Sequence, residues 1–333
     1  MLSIKNIKNR SLLELNSTFI DVEVDLQRSK KDLISLFSKG CMMGAADAVP
    51  GVSGGTIAFI TGIYQELIQS LSRLGPKAIQ ILYKKGFSQA WLYVNGNFLA
   101  ILLLGMLTSI LLLSNLVLFL LQNQPQMLWG FFFGLICAST VLLAKTITHW
   151  DKFSVLFFIL GSVGSYILTT LGASVLEVSN TNVFFAGMLA ICAMILPGIS
   201  GSFILLLLGL YSHILGSIKS LDLMTLAVFA GGCISGLLCF SKVLNWLFSC
   251  YKNITVALLT GFLFGSLNKV WPWKETLTTR VNSHGLQVAD LQQNISPFNY
   301  QQVTGVESQF FMVCILALLA VVVVLALEKM NNV

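Results

Sequence analysis

Two short stretches hold the residue types that could do chemistry in this chain. Pro50-Gly51-Val52-Ser53-Gly54-Gly55-Thr56 is echoed by Pro197-Gly198-Ile199-Ser200-Gly201-Ser202 at a constant offset of 147, and the same offset carries Gly40 onto Gly187, Gly62 onto Gly209 and Tyr64 onto Tyr211. A Pro-Gly pair removes a backbone donor and stops a helix at or just before the proline, so Pro50, Gly51, Pro197 and Gly198 read as hinges. Ser53 and Ser200 can cap a new helix, and the small residues that follow leave its first N–H groups uncovered. Two such helix starts offer partial positive charge and free donors, which is chemistry for an anion. The donors assigned to that anion are Ser53, Gly54, Gly55, Thr56, Ser200, Gly201 and Ser202.

Asp47 is the only carboxylate within a hinge, and Met194 holds the equivalent place. A carboxylate near a helix C-terminus opposes the dipole, so it must be protonated or paired. Two readings stay open, a proton or cation coupling site and an anchor that holds the hinge. Glu66 aligns with His213, and each is either a coupling residue or a group at headgroup level.

The surrounding composition decides where this chemistry sits. The chain of 333 residues is 56% hydrophobic and only 10% charged, with a mean hydropathy of +0.82. These values belong to polytopic membrane proteins. In a bilayer, a broken helix is tolerated only where the freed backbone is buried in protein or faces a wet cavity. The net charge of +6 points to anionic lipid heads, because no ordered basic stretch is interleaved with aromatics as nucleic-acid binding would require. The seven cysteines lie in or beside apolar segments, so neither a disulfide framework nor a metal site is expected, and no cofactor is.

The pattern predicts an all-α polytopic membrane protein of two inverted repeats, each a broken or re-entrant hairpin followed by three spans. A polar N-terminal segment, 1–33, without a signal-type apolar run precedes repeat 1 (34–171), whose hairpin covers 34–71 with arms at 34–49 and 53–71. Spans follow at 97–121, 127–144 and 153–171. Repeat 2 (183–328) has its hairpin at 183–217, with arms at 183–196 and 200–217, and spans at 223–246, 253–269 and 309–328. Gly130…Gly134 and Gly261…Gly265 sit on the second span of each half, at a spacing that lets helices approach closely. The insert 270–308 has no counterpart and reads as a solvated loop anchored by Trp271 and Trp273. With both termini cytoplasmic, sixteen of the 20 basic residues fall on the cytoplasmic side, as the positive-inside rule requires. The second hairpin then enters from the opposite face, which makes the repeat inverted and the 270–308 loop extracytoplasmic.

The run Gly44-Ala45-Ala46-Asp47-Ala48-Val49-Pro50-Gly51-Val52-Ser53-Gly54-Gly55-Thr56, with Leu196-Pro197-Gly198-Ile199-Ser200-Gly201-Ser202, resembles the bacterial polyprenyl-phosphate (undecaprenyl-phosphate) translocase family, the PopT-like proteins, over roughly residues 34–328. The resemblance implies a multi-pass protein of the bacterial cytoplasmic membrane that returns undecaprenyl phosphate, the carrier lipid of cell-wall and peptidoglycan synthesis, from the outer to the cytoplasmic leaflet. Its partners would be that lipid, membrane lipids and a coupling proton or sodium ion, with no nucleic acid. The residues alone reach a transporter with an anion site at the bilayer midplane. A small-anion transporter or channel is the alternative. The tetrapeptides Gly51-Val52-Ser53-Gly54 and Gly198-Ile199-Ser200-Gly201 also resemble the nucleophile motif of rhomboid intramembrane proteases. His213, however, lies thirteen residues along the same arm as Ser200, about 20 Å on a helix and beyond hydrogen-bond reach, so no enzyme is expected.

Overall fold

The computed structural model describes residues 28–47, 49, 52–171, 176–281 and 287–331. Pro50 and Gly51, assigned above as hinge residues, lie outside the described residues, as does most of the 1–33 segment. The chain divides into two compact units, Met1–Ser35 and Leu36–Val333; α1 begins in the first, and every later element belongs to the second.

Helix α1 (Lys30–Asp47) leads into the first hinge. Ser29 and Asp32 start it by a reciprocal exchange, the Ser29 N–H giving to Asp32 Oδ2 at 2.9 Å and the Asp32 N–H to Ser29 Oγ at 3.3 Å, a form of capping box. Beyond the hinge come α2 (Gly54–Ile60), α3 (Tyr64–Ser72), α4 (Pro76–Lys85), α5 (Phe87–Tyr93), α6 (Gly96–Asn123), α7 (Pro125–Thr146) and α8 (Lys152–Thr170). The second half holds α9 (Asn180–Ile195), α10 (Gly201–Leu207), α11 (Tyr211–Ser220), α12 (Leu223–Cys250) and α13 (Lys252–Ser266). An antiparallel ribbon of β1 (Lys274–Val281) and β2 (Gln287–Asn294), a short α14 (Tyr300–Thr304) and α15 (Phe310–Asn331) close the chain.

Among the described residues, α6, α7, α8, α12 and α15 are each long and apolar enough to cross a bilayer. The pair α10–α11 makes a sixth candidate, bent by 109°.

Several expectations need correction. The arms 53–71 and 200–217 are not continuous helices. Each breaks a second time, at Gly62 and Gly209, both with φ of +72°. The repeat offset had already paired these glycines, but only a backbone in the left-handed region explains why. The insert 270–308 is not a plain loop, since it folds into the β1–β2 ribbon and α14. The predicted span 253–269 ends early, at Ser266, where Lys269 N–H turns back onto the Ser266 carbonyl at 2.9 Å.

Small residues set which helices pair. A methyl group added at Gly134 would collide with the Ala317 backbone, and one at Gly261 with that of Phe158. These are backbone-to-backbone approaches of α7 on α15 and of α13 on α8. Gly232 meets Phe184 on α9 in the same way, and Gly40 meets Leu102 on α6. Between helices in lipid, where apolar burial gives little drive, such close van der Waals packing is what associates them. Thus α7 packs on α15, and α13 on α8. The large apolar side chains that remain exposed on α6, α8, α12 and α15 suit contact with acyl chains.

Candidate functional site

The two hinges meet. Ser53, wholly buried, caps α2 by accepting the Gly55 N–H at 3.1 Å. Its own proton is shared between the Met194 and Leu196 carbonyls, at 3.1 and 3.2 Å. Tyr64, at the head of α3, gives its hydroxyl proton to the Ile195 carbonyl at 3.1 Å. Thr56 Oγ1 accepts the Gly198 N–H at 3.1 Å. The last carbonyls of α9 have no partner within their own helix, so side chains from the first half terminate a helix of the second. Phe59 stacks on Tyr64 with ring centres 4.6 Å apart and bridges the break at Gly62. No room is left at this contact, because a methyl group on Gly55 would lie 2.7 Å from the Ile195 carbonyl oxygen.

The first hinge has spent its donors. The Gly54 N–H gives to Asp47 Oδ1 at 2.6 Å, the Gly55 N–H to Ser53 Oγ, and the Thr56 N–H to the Ser53 carbonyl at 2.9 Å. A carboxylate of the chain itself therefore sits on the helix start where an anion was expected. The short charge-assisted bond is of the strong kind. Asp47 Oδ2, also buried, has no hydrogen-bond partner among the described residues.

The second hinge is built differently. Ser200 caps α10 without a side-chain bond to its amides, and its hydroxyl instead pairs with that of Ser202 at 2.8 Å. No described residue accepts from the N–H groups of Gly201 and Ser202. Gly198 holds a φ of +84°, and a methyl group there would lie 2.9 Å from Ser266 Oγ. Ser200 and Gly198 border a narrow cleft, together with Ser165 and Thr169 of α8, Phe203 and Lys269. The Lys269 ammonium stands 4.6 Å from the centre of the Phe203 ring, above the first turn of α10.

The segment carrying Lys269 is fixed from the insert. Lys274 is half-buried, with its ammonium as the covered end, bonded to the Lys269 carbonyl and 4.4 Å from the centre of the Trp129 ring. Burial first, and the charge of Lys269 second, pull the Lys274 amine down to about 7. Trp271 and Trp273 give their indole protons to the Ile295 and Ser308 carbonyls at 2.9 and 2.8 Å, so both rings are held by the insert.

Glu66 and His213 are not brought to either hinge. Glu66 accepts from Asn95 Nδ2 at 2.7 Å at the start of α6. His213 stands near Asp222, the cap of α12, whose carboxyl is held below its usual range by the Thr225 hydroxyl and N–H, with a smaller contribution from the His213 charge. Lys39 gives a proton to the Thr61 carbonyl at 2.9 Å, just past the end of α2. The residues that sequence reasoning passed over are Tyr64, Ser165 and Lys269. Tyr64 is paired with Tyr211 by the repeat offset, but that pairing alone gives it no role. Ser165 and Lys269 carry no local signal, for their place at the hinge comes from the packing of α8 on α13.

Residues 43–288 match the family model described as undecaprenyl phosphate translocase-like. The chain is 47% identical over 296 residues to a polyprenyl-phosphate transporter of Vibrio cholerae, covering 89% of this chain and 96% of that protein. It is 33% identical over 252 residues to a polyprenyl-phosphate transporter of Staphylococcus aureus, covering 70% of this chain and 84% of that protein. No solved structure matches it.

Proposed function

From the premise that this chain belongs to the undecaprenyl phosphate translocase-like family, we propose that it carries a polyprenyl phosphate from the outer to the cytoplasmic leaflet of the bacterial cytoplasmic membrane, its two halves acting as inverted repeats. The chain is a multi-pass membrane transporter and not an enzyme, since the family is one of transporters. Both termini lie in the cytoplasm on the charge distribution, and the insert 270–308 faces outward.

The observation that carries the mechanism is the joint between the hinges, the Ser53 hydroxyl on the Met194 and Leu196 carbonyls with the Gly198 N–H on Thr56. The two breaks share one set of bonds, so rocking one half against the other re-sorts donors at the place where the headgroup must pass. A flipped lipid keeps its tail in hydrocarbon, and the protein has only to shelter the charged head. Desolvating that head is costly, and several charge-assisted bonds worth roughly 1.5–3 kcal/mol each are needed to offset it. Ser200, Gly201 and Ser202 supply donors in the conformation described. Ser53, Gly54, Gly55 and Thr56 supply theirs once Asp47 withdraws and the joint opens. Protonation of Asp47, or a cation at its unpartnered oxygen, is the coupling event that frees the first hinge. Glu66 and His213 take no part in it.

The test is leaflet exchange in reconstituted liposomes. Wild-type protein is expected to move undecaprenyl phosphate between leaflets and to leave trapped inorganic phosphate inside. Efflux of phosphate without lipid exchange would replace this reading by the small-anion carrier.

A further inference from the structure

We infer that α4 and α5 form a basic hairpin that lies on the cytoplasmic leaflet and binds the headgroups of anionic phospholipids, which rests on the orientation proposed above and not on the cargo. The internal repeat singles this hairpin out. In the second half α11 runs into α12 across residues 221–222, whereas in the first half the equivalent elements, α3 and α6, are separated by residues 73–95. Helices α6 and α12 are both 28 residues long, so the span itself does not require the extra chain. The charges differ as well. The short link holds Asp222, while the long one holds Arg73, Lys77, Lys84 and Lys85, and residues 67–150 contain no acidic side chain.

The hairpin is built for a surface. Helix α4 has no buried residue, and its packing partner is α5. At 3.6 residues per turn, Ile79, Leu82 and Tyr83 share one side of α4, while Lys77, Gln80 and Lys84 share the opposite side, and all six are exposed. Its 10 residues make about 15 Å of helix, too short to cross a bilayer. A helix with one apolar and one lysine-rich face lies in the plane of the membrane interface, apolar side down. Phe87, at the start of α5, is likewise exposed, its ring 5.5 Å from that of Trp91. The base of the hairpin is closed, since Arg73 Nη1 gives to the Tyr93 carbonyl at 3.3 Å and the Lys77 ammonium stands 5.3 Å from the centre of the Tyr93 ring. Lys242 of α12 brings another cation there, for a methyl group on Gly75 would lie 3.4 Å from its ammonium. Charge decides what covers the apolar side. A second copy of this chain would bring like charges together, and neutral lipid would leave the lysines without counter-charge. The phosphates of an anionic leaflet satisfy both faces at once.

Fluorescence quenching in vesicles tests this, with a bimane label on Leu82→Cys or Gln80→Cys in a chain whose seven native cysteines are changed to alanine. A nitroxide near the top of a lipid acyl chain is expected to quench the label at 82, and aqueous iodide the label at 80. With the nitroxide on phosphatidylglycerol, quenching at 82 should exceed that from phosphatidylcholine by about fivefold, the effect of one lysine near an anionic surface. The triple change Lys77→Gln, Lys84→Gln and Lys85→Gln should abolish that preference, and the corresponding triple arginine variant should keep it. Equal iodide quenching of both labels would put the helix in water, and a label at 82 that neither reagent reached would mean that protein covers the face. A preference untouched by the glutamine changes would remove the headgroups. Each of these three results overturns the site. Lipid that copurifies with the chain bearing its native cysteines is a second measure. Wild type should carry more phosphatidylglycerol than the glutamine variant, and equal amounts would also overturn the site. Leaflet exchange enters none of these measurements, so their failure leaves the transport reading standing, and an absence of exchange leaves this site standing.

Discussion

At the first hinge Gly54 gives its amide proton to Asp47 and Ser53 ties itself to the end of α9, whereas at the second hinge the Ser200 hydroxyl bonds, among the described residues, that of Ser202, and Ser200 borders a cleft with Lys269. The two share a sequence pattern and, further along each arm, a second break at Gly62 and Gly209. What separates them is charge. One holds a carboxylate against its donors, and the Lys269 ammonium stands beside the other. In the mechanism proposed above, a duplicated motif becomes two different states of one device, and the asymmetry lets a single guest be handed from one to the other.

The sharpest way to break this comparison is to make the second hinge resemble the first. Met194→Asp places a carboxylate seven residues before Gly201, as Asp47 stands before Gly54. Undecaprenyl phosphate affinity is expected to fall by roughly a hundredfold, as for loss of a charge-assisted contact with added repulsion. Unchanged affinity would mean that the carboxylate does not compete for the amides.

Next come the two capping serines. Ser53→Ala removes the bond from Gly55 and strands the Met194 carbonyl, while the Leu196 carbonyl keeps the Ile199 N–H, costing about 1–3 kcal/mol of stability. Ser200→Ala loses one shared hydroxyl bond and should cost less than about 1 kcal/mol. Denaturant titration in micelles would compare them, and equal losses would show that the first hinge is no more tightly joined than the second.

A smaller effect is expected of Asp47→Asn. It replaces a charge-assisted bond to the Gly54 amide by a neutral one, at about 1 kcal/mol. Lipid binding should persist while exchange loses its dependence on the coupling ion. An exchange rate that keeps the wild-type dependence would leave Asp47 as an anchor only.

A pH-dependent effect lies in the insert. The Lys274 amine titrates near 7 when folded and at an ordinary 10.5 when unfolded. Between those values the unfolded chain holds the extra proton, so the folded state gains stability as pH rises. Thermal melts at pH 7 and pH 10 should show a larger upward shift for wild type than for Lys274→Met. Identical shifts would place the ammonium in water and not against Trp129.

Much of the fold was legible in the chain. Apolar runs located the five long spans because a bilayer demands about 20 such residues, and observed bounds such as Pro125–Thr146 differ from the expected 127–144 by two residues at each end. The span 253–269 and the arms 53–71 and 200–217 were read too long, since apolar character runs on through a turn without marking it. The insert was misread because the strands Lys274–Val281 and Gln287–Asn294 are mostly polar, with little alternation for a pattern to catch. At the site, the helix starts at Ser53 and Ser200 followed from residue type, but the engagement of their donors did not.

Sequence by itself determined the breaks, their repetition and the membrane around them, because backbone chemistry at Pro-Gly-x-Ser and the hydropathy of a span are local properties. Tertiary structure alone decided that Asp47 closes one helix start and that Lys269 and Ser165 attend the other. The first joins the end of α1 to the start of α2, and the second depends on how α8 packs on α13 and on the segment beyond it, neither of which residue type alone reveals.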